Sequence, residues 1–201
     1  MNANVPDNTR KADHPVADVF TARWSPRAFT DATMSEQDLL GLLEAARWAP
    51  SAFNAQPWRF IYALRGDAGW QPILEAILPF NQSWAKSASA LVIIASATKF
   101  TAPGKTEASD NGSHTFDAGT AWGYLALQAH MAGFAAHAMA GFDKVAMAKA
   151  VNLPEDHVLH AAVAIGTQGP ASLLPEGLQA REVPSPRQPL DTLAVHGAFK
   201  A

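Results

Sequence analysis

The sequence predicts a single domain of the α+β class, and three observations lead there. At 201 residues the chain has the length of one ordinary domain and can bury a sizeable core. Segments with apolar residues at helical spacing alternate with short runs rich in Val and Ile, which read as strands. Cysteine is absent, so the fold stands on packing without disulfides or thiolate metal sites, and nothing requires an oxidising compartment.

The elements follow in order. Residues 1–13 are polar and are expected to form a mobile tail on a domain that otherwise takes in all of 1–201. The first helix is expected over 35–48, where Ser35 can cap it, Glu36 and Asp38 suit its positive end, and Leu39, Leu42, Leu43 and Ala46 repeat at helical spacing; Pro50 stops it. A strand is expected at 58–64, a helix at 70–78 and a buried strand at 90–97. Residues 99–113 carry Pro, Gly, Asp and Asn and read as a loop long enough to be a lid or substrate wall. Over 115–131 the helical pattern is apolar nearly all round, through Ala121, Trp122, Leu125, Leu127 and Ala129, so that helix belongs in the middle of the assembly. Gly133 ends it, and a strand at 134–140, a helix at 144–151 and a strand at 158–165 follow. From Gly169 the chain is rich in Pro and is expected to wrap over other elements.

Composition removes several classes of function. Residues 1–11 contain no apolar core of a signal peptide, and the longest apolar stretch, 88–97, is too short to span a bilayer, so neither secretion nor a membrane role is expected and a cytoplasmic setting is the default. A formal charge of −3, spread along the chain, gives no footprint for nucleic acid. Gly104-Lys105-Thr106 spells the end of a phosphate-binding loop, but the glycine required five residues earlier is Lys99. His157 and His160 have no acidic or third histidine partner at ligand spacing, so no metal is expected. Neither G-x-S-x-G nor G-x-G-x-x-G occurs, which leaves serine hydrolase and dinucleotide-fold dehydrogenase readings unsupported. Six tryptophans suit walls around a flat ligand, although core and interface packing is the ordinary role for any one of them.

Two segments carry chemistry. In Arg23-Trp24-Ser25-Pro26-Arg27, Pro26 biases Ser25 toward extended backbone, which puts Arg23, Ser25 and Arg27 on one face. Two guanidinium forks and a hydroxyl on one face suit a phosphate, although an exposed, solvated edge has the same pattern. In Ala49-Pro50-Ser51-Ala52-Phe53-Asn54-Ala55-Gln56-Pro57-Trp58, polar Ser51, Asn54 and Gln56 stand among apolar neighbours, as do the few orienting groups of an apolar pocket. Amides both donate and accept, matching the edge of a flavin pyrimidine ring; ordinary turn chemistry is the alternative.

Together these segments resemble the nitroreductase family, whose N-terminal signature is R-x-S-x-[RK], a capped helix and then P-S-x-x-N-x-Q-P-W. The resemblance continues through Pro79-Phe80-Asn81-Gln82-Ser83-Trp84, Asp117-Ala118-Gly119, Met139-Ala140-Gly141-Phe142-Asp143, Ala164-Ile165-Gly166 and the closing Arg187-Gln188-Pro189-Leu190, covering about residues 16–199. It implies a three-layer α-β-α sandwich with a central, mostly antiparallel sheet, and a homodimer with a C-terminal tail wrapping the partner. It also implies FMN as cofactor, NADH or NADPH as reductant, and a small acceptor such as a nitroaromatic or quinone reduced by a ping-pong mechanism. Specialised relatives of the same fold, reductive dehalogenases or flavin-cleaving enzymes, and a flavin-binding module without turnover stay open.

Carried over by position, the resemblance implies that Arg23 and Arg187 hold the FMN phosphate, with Trp24 beside them and Ser25 on ribityl or phosphate oxygens. Arg27 is expected at the O2 edge of the ring as the charge stabiliser, with no catalytic side chain besides. Asn81 is expected on the pyrimidine edge and the amides of Ala140 and Gly141 near N5. Pro50, Ser51, Ala52 and Asn54 would come from the other subunit, with the helix around Trp122 and Leu125 buried mainly at that interface. Some members carry Lys where this chain has Trp84, so the negative charge of a reduced flavin would rest on Arg27. His114 and Phe116 are expected only as neighbours of the cavity.

Overall fold

A computed structural model describes residues 8–199 of the protein; residues 1–7 of the expected tail lie outside the described residues. In chain order the elements are α1 (Asp18–Ala22), α2 (Glu36–Arg47), β1 (Trp58–Leu64), α3 (Trp70–Ala76), α4 (Pro79–Ala85) and β2 (Ala90–Ala97). There follow β3 (Lys99–Phe100), β4 (Ser109–Asp110), α5 (His114–Met131), β5 (Ala135–Met139), α6 (Lys144–Ala150), β6 (His157–Gly166) and α7 (Glu176–Gln179). Four strands form one sheet in the order β1-β2-β6-β5, and every pairing in it is antiparallel.

Strand β2 sets the architecture. All eight of its residues are buried, as a central strand covered on both faces requires. Leu91, Ile93 and Ala95 enter one cluster with Trp70 and Ile73 of α3, Trp84 of α4 and Met147 of α6. Ala90, Val92 and Ile94 enter the other, with Leu39 and Leu42 of α2 and Leu125 of α5. Strand periodicity thus feeds two cores, each fully buried large side chain contributing about 1.5–3 kcal/mol of transfer free energy, and yields helices on both faces of a sheet. This is the expected α+β sandwich.

Local chemistry explains the boundaries. The Ser35 hydroxyl accepts the amide of Asp38 at 3.1 Å and caps α2, a contact worth about 1 kcal/mol. Asp143 does the same for α6, accepting the amides of Val145 and Ala146 at 2.8 and 2.9 Å. Gly133, at φ 82°, reverses the chain between α5 and β5, where a side chain would be strained.

Several elements differ from expectation. Residues 79–85 form a helix with Pro79 in its first turn, where a missing N–H costs nothing. The expected 99–113 loop contains a two-residue hairpin pairing Lys99 with Asp110 and Phe100 with Ser109. Leu125 is wholly buried in the protomer's own core, which corrects the expectation that it is buried mainly between subunits; the large apolar side chains that α5 leaves exposed are Phe116, Tyr124 and Met131. The β2–β6 register shifts at Ile94/Ala95, whose partners are Ala161 and Leu159, so His160 is the extra residue of a bulge and its ring is redirected.

Candidate functional site

The segment after α1 is held from three directions. Arg23 ends the helix in an extended conformation, and the chain runs on through Pro26. From β5, His137 Nδ1 donates to the carbonyl of Pro26 at 3.0 Å, which fixes its tautomer. Burial pushes the His137 imidazole down to about 4, with the Arg27 charge acting in the same direction, so the ring is neutral at pH 7. From the tail, Glu182 Oε1 accepts the backbone amides of Arg27 and Ala28 at 2.6 and 2.7 Å, and Oε2 lies 3.9 Å from Arg27 Nη1. The amides of Gly169 and Thr30 bond to the carbonyls of Ala28 and Thr167 and tie the segment to the end of β6.

This clamped backbone presents cations to a cleft lined by Arg10, Arg23, Trp24, Ser25, Arg27, His137, Arg181 and Arg187. Arg23 Nη1 lies 3.4 Å from the Ser25 hydroxyl. Burial, and then the neighbouring guanidinium of Arg187, hold Arg23 below its ordinary pKa. Among the described residues the sole ion pair in this group joins Arg27 to Glu182, whose carboxylate is already committed to two amides. Arginines drawn together against mutual repulsion form a site matched to an anion, and their planar forks suit phosphate.

A second part lies where α4 meets the turn after β5. Asn81 Nδ2 donates to the carbonyl of Gly141 at 3.3 Å, and the Leu78 amide donates to the same carbonyl at 3.0 Å. A Cβ on Gly141 would stand 2.5 Å from Asn81 Nδ2, so a larger residue in the turn beside exposed Ala140 would displace the Asn81 amide. Trp84 is 2% exposed, packed 4.7 Å from the His137 ring and 6.3 Å from Phe29, and its indole N–H has no hydrogen-bond partner. Position 84 is therefore core packing, and it carries no charge.

The structure does not join the 50–54 loop to these arginines through that loop's own contacts. The Ala52 amide reaches Asp117 Oδ2 of α5 at 3.3 Å, the Ser51 hydroxyl accepts the Gln56 amide at 3.0 Å, and Phe53 stacks on Phe100 at 6.0 Å. Phe53, Asn54 and Gln56 all adopt positive φ, and Phe53 is 74% exposed at the tip. Left-handed backbone at a bulky residue is costly, and it marks a loop shaped to present its tip outward. Elsewhere, the Ser96 hydroxyl bridges His114 Nδ1 and His160 Nε2 at 2.7 and 2.6 Å, while Phe116 stands exposed on α5. Among the described residues no group of three His, Asp or Glu could hold a metal ion.

Sequence reasoning missed Arg10, His137, Arg181 and Glu182. Arg10 was masked by a polar tail and His137 by a strand pattern, and no local signal ties Glu182 to an amide 155 residues away.

The Nitroreductase family model matches residues 20–83 and 72–167. A solved oxidoreductase containing FMN is 42% identical, covers 98% of both chains and superposes with a TM-score of 0.92. The major NAD(P)H-flavin oxidoreductase of Aliivibrio fischeri is 30% identical over 92 residues, 44% of this chain and 42% of its own length. The oxygen-insensitive NADPH nitroreductase of Helicobacter acinonychis is 39% identical over 64 residues, 32% of this chain and 30% of its own, so each of these two alignments spans less than half of the relative.

Proposed function

The chain belongs to the nitroreductase family, and from that premise we propose that it is a flavoenzyme that binds FMN and uses NADH or NADPH to reduce a small acceptor such as a nitroaromatic or a quinone. The observation that carries this reading is the clamped arginine cleft, whose charges repel one another and whose forks fit one terminal phosphate. Arg23 and Arg187 would hold that phosphate, Trp24 would wall it, and Ser25 would meet ribityl or phosphate oxygens. Arg27, fixed by Glu182, would lie at the O2 edge of the ring, where a cation stabilises charge developing during reduction. Asn81 would face the pyrimidine edge and the backbone amides of Ala140 and Gly141 would lie near N5, with Gly141 leaving room for the Asn81 amide. When bound, FMN would supply hydride-transfer chemistry between the nicotinamide and the acceptor, for which a ping-pong cycle is proposed. No protein acid is assigned, and water serves as the proton source.

The same reading makes the protein a homodimer. Phe20, Trp48, Phe53, Phe116, Tyr124 and Met131 are large, apolar and exposed, and a partner subunit would cover such side chains. Pro50, Ser51, Ala52 and Asn54 would then line the partner's flavin, and the tail, with Val183, Leu193 and Phe199 exposed, would wrap that partner. No helix among the described residues is long and apolar enough to cross a membrane, and the absence of cysteine fits a cytoplasmic setting.

Chromatography of flavin released by heating tests the cofactor: FMN is expected, whereas FAD, or no flavin after reconstitution, overturns the reading. Anaerobic NADH or NADPH should bleach the bound flavin, and persistence of the yellow form would leave a binding module without turnover. A panel of dye, quinone and nitroaromatic acceptors then separates a general reductase from a specialised one.

A further inference from the structure

Resting on the FMN reading above, we propose that Arg10 is a further arginine on the cofactor's terminal phosphate, delivered by a strap that precedes the part of the chain matched to the family, which begins at residue 20. The strap is pinned at both ends of its described course. Asn8 Nδ2 donates to the carbonyl of Thr21 at 2.9 Å, and Leu190 of the tail donates its amide to Asp13 Oδ2 at 2.9 Å. Between these pins the Arg10 guanidinium is locked in place. Its Nε donates to Asn8 Oδ1 at 3.1 Å, and its Nη2 donates to the carbonyls of Ala22 and Arg23 at 3.0 and 3.1 Å. Nη1 makes no hydrogen bond among the described residues, on a side chain that lines the same cleft as Arg23, Ser25 and Arg187.

Capping the carbonyls at the end of α1 accounts for the two Nη2 contacts, because cations suit a helix C-terminus. It does not account for holding that cation beside two others, since α1 has only five residues and a correspondingly weak dipole. Burial first, and then the charges of Arg187 and Arg23, hold the Arg10 guanidinium below its ordinary pKa, in keeping with the three side chains lining one cleft. A dianionic phosphate between them would turn that repulsion into attraction, and Nη1, the one guanidinium nitrogen left without a partner among the described residues, would meet it without further loss of rotamer freedom.

The test compares FMN with riboflavin, which has the same ring and ribityl chain without the phosphate. Apoprotein is titrated with each, following quenching of flavin fluorescence. Arg10→Gln is expected to weaken FMN binding by about tenfold to a hundredfold, the range of one charge-assisted hydrogen bond, and to leave riboflavin binding unchanged. Asn8→Ala, which unlocks the guanidinium but keeps its charge, is expected to give a smaller loss for FMN alone. Equal losses for both flavins would assign Arg10 to holding α1, and no loss for either would remove it from the site; each outcome overturns the proposal. Wild-type protein that binds the two flavins equally would instead sink the phosphate reading itself. If Arg10→Gln lowers the melting temperature of the apoprotein, Arg10→Lys carries the test, with a severalfold loss for FMN and none for riboflavin expected, and equal losses again overturning it.

Discussion

Replacing Glu182 by Ala should be among the most damaging single changes outside the hydrophobic cores. The carboxylate is 2% exposed and accepts two backbone amides at 2.6 and 2.7 Å, one of them from fully buried Ala28. Removing it leaves both donors without a partner at about 1–3 kcal/mol each, and strips Arg27 of its counter-ion. The expected loss is therefore about 3–5 kcal/mol, a fall in melting temperature of about 10 °C for a chain of this length. Glu182→Gln keeps an oxygen able to accept both amides, but it loses the charge facing Arg27 at 3.9 Å and puts an N–H donor where the buried Oε2 has no hydrogen-bond partner, so it should cost about 1–3 kcal/mol, less than Ala. Urea unfolding of the apoprotein at one fixed protein concentration measures both, provided the slope m is unchanged. A loss below about 1 kcal/mol for Ala, or equal losses for Ala and Gln, would refute the assignment of Glu182 as a backbone clamp, on the amide costs used above.

Three further outcomes are expected. His137 is neutral in the fold, with its pKa lowered from 6.5 to about 4, so the unfolded chain takes up the proton first. Its contribution to stability is complete above pH 6.5 and is lost as pH falls from 6.5 to 4, at about 1.4 kcal/mol for each pH unit crossed, and His137→Gln should flatten the stability profile across that window. In stopped-flow reduction and FMN titration, Arg27→Gln should slow hydride transfer more than it weakens FMN binding, while Arg187→Gln should do the reverse; equal effects would mean that the two roles are misassigned. Coexpressing an Arg23→Ala, Arg187→Ala chain with a Ser51→Trp, Asn54→Asp chain, then isolating the heterodimer, should recover roughly one flavin site per dimer, and colourless, inactive heterodimers would place the whole site within one chain.

What the sequence made legible was whatever a local pattern encodes. β1 and β2 were readable to the residue because their apolar runs are short and bounded, and α2 because Ser35 and Pro50 punctuate both ends. Helix α4 was not, since seven residues containing Pro and Asn give no helical period, and α1 and the Lys99–Phe100 strand are shorter still. The central helix misled in a different way. An all-round apolar pattern reports burial but not what buries it, so Leu125 turned out to serve the protomer's own sheet. For the site, Arg23, Arg27, Arg187 and the Asn81–Gly141 contact lie in recognisable motifs, whereas Arg10, Arg181 and the groups that hold the segment do not. Glu182 and His137 act on residues 25–28 from more than a hundred positions away, and only the fold brings such partners together.

That separation has a consequence for biosynthesis. The arginine cleft combines residues 10 and 23–27 with residues 181–187, and the amides of Arg27 and Ala28 find their acceptor only once Glu182 has been made. At about 5–20 residues per second, the 155 residues separating Arg27 from Glu182 take on the order of 10–30 s to synthesise. Through that interval a nascent chain can pair β1 with β2 and bury α2, yet it offers no finished seat for an anionic ligand. Ligand loading is thereby deferred until translation has passed the tail, and a ribosome stalled before codon 182 would hold a product with an assembling core and an unfinished anion cleft.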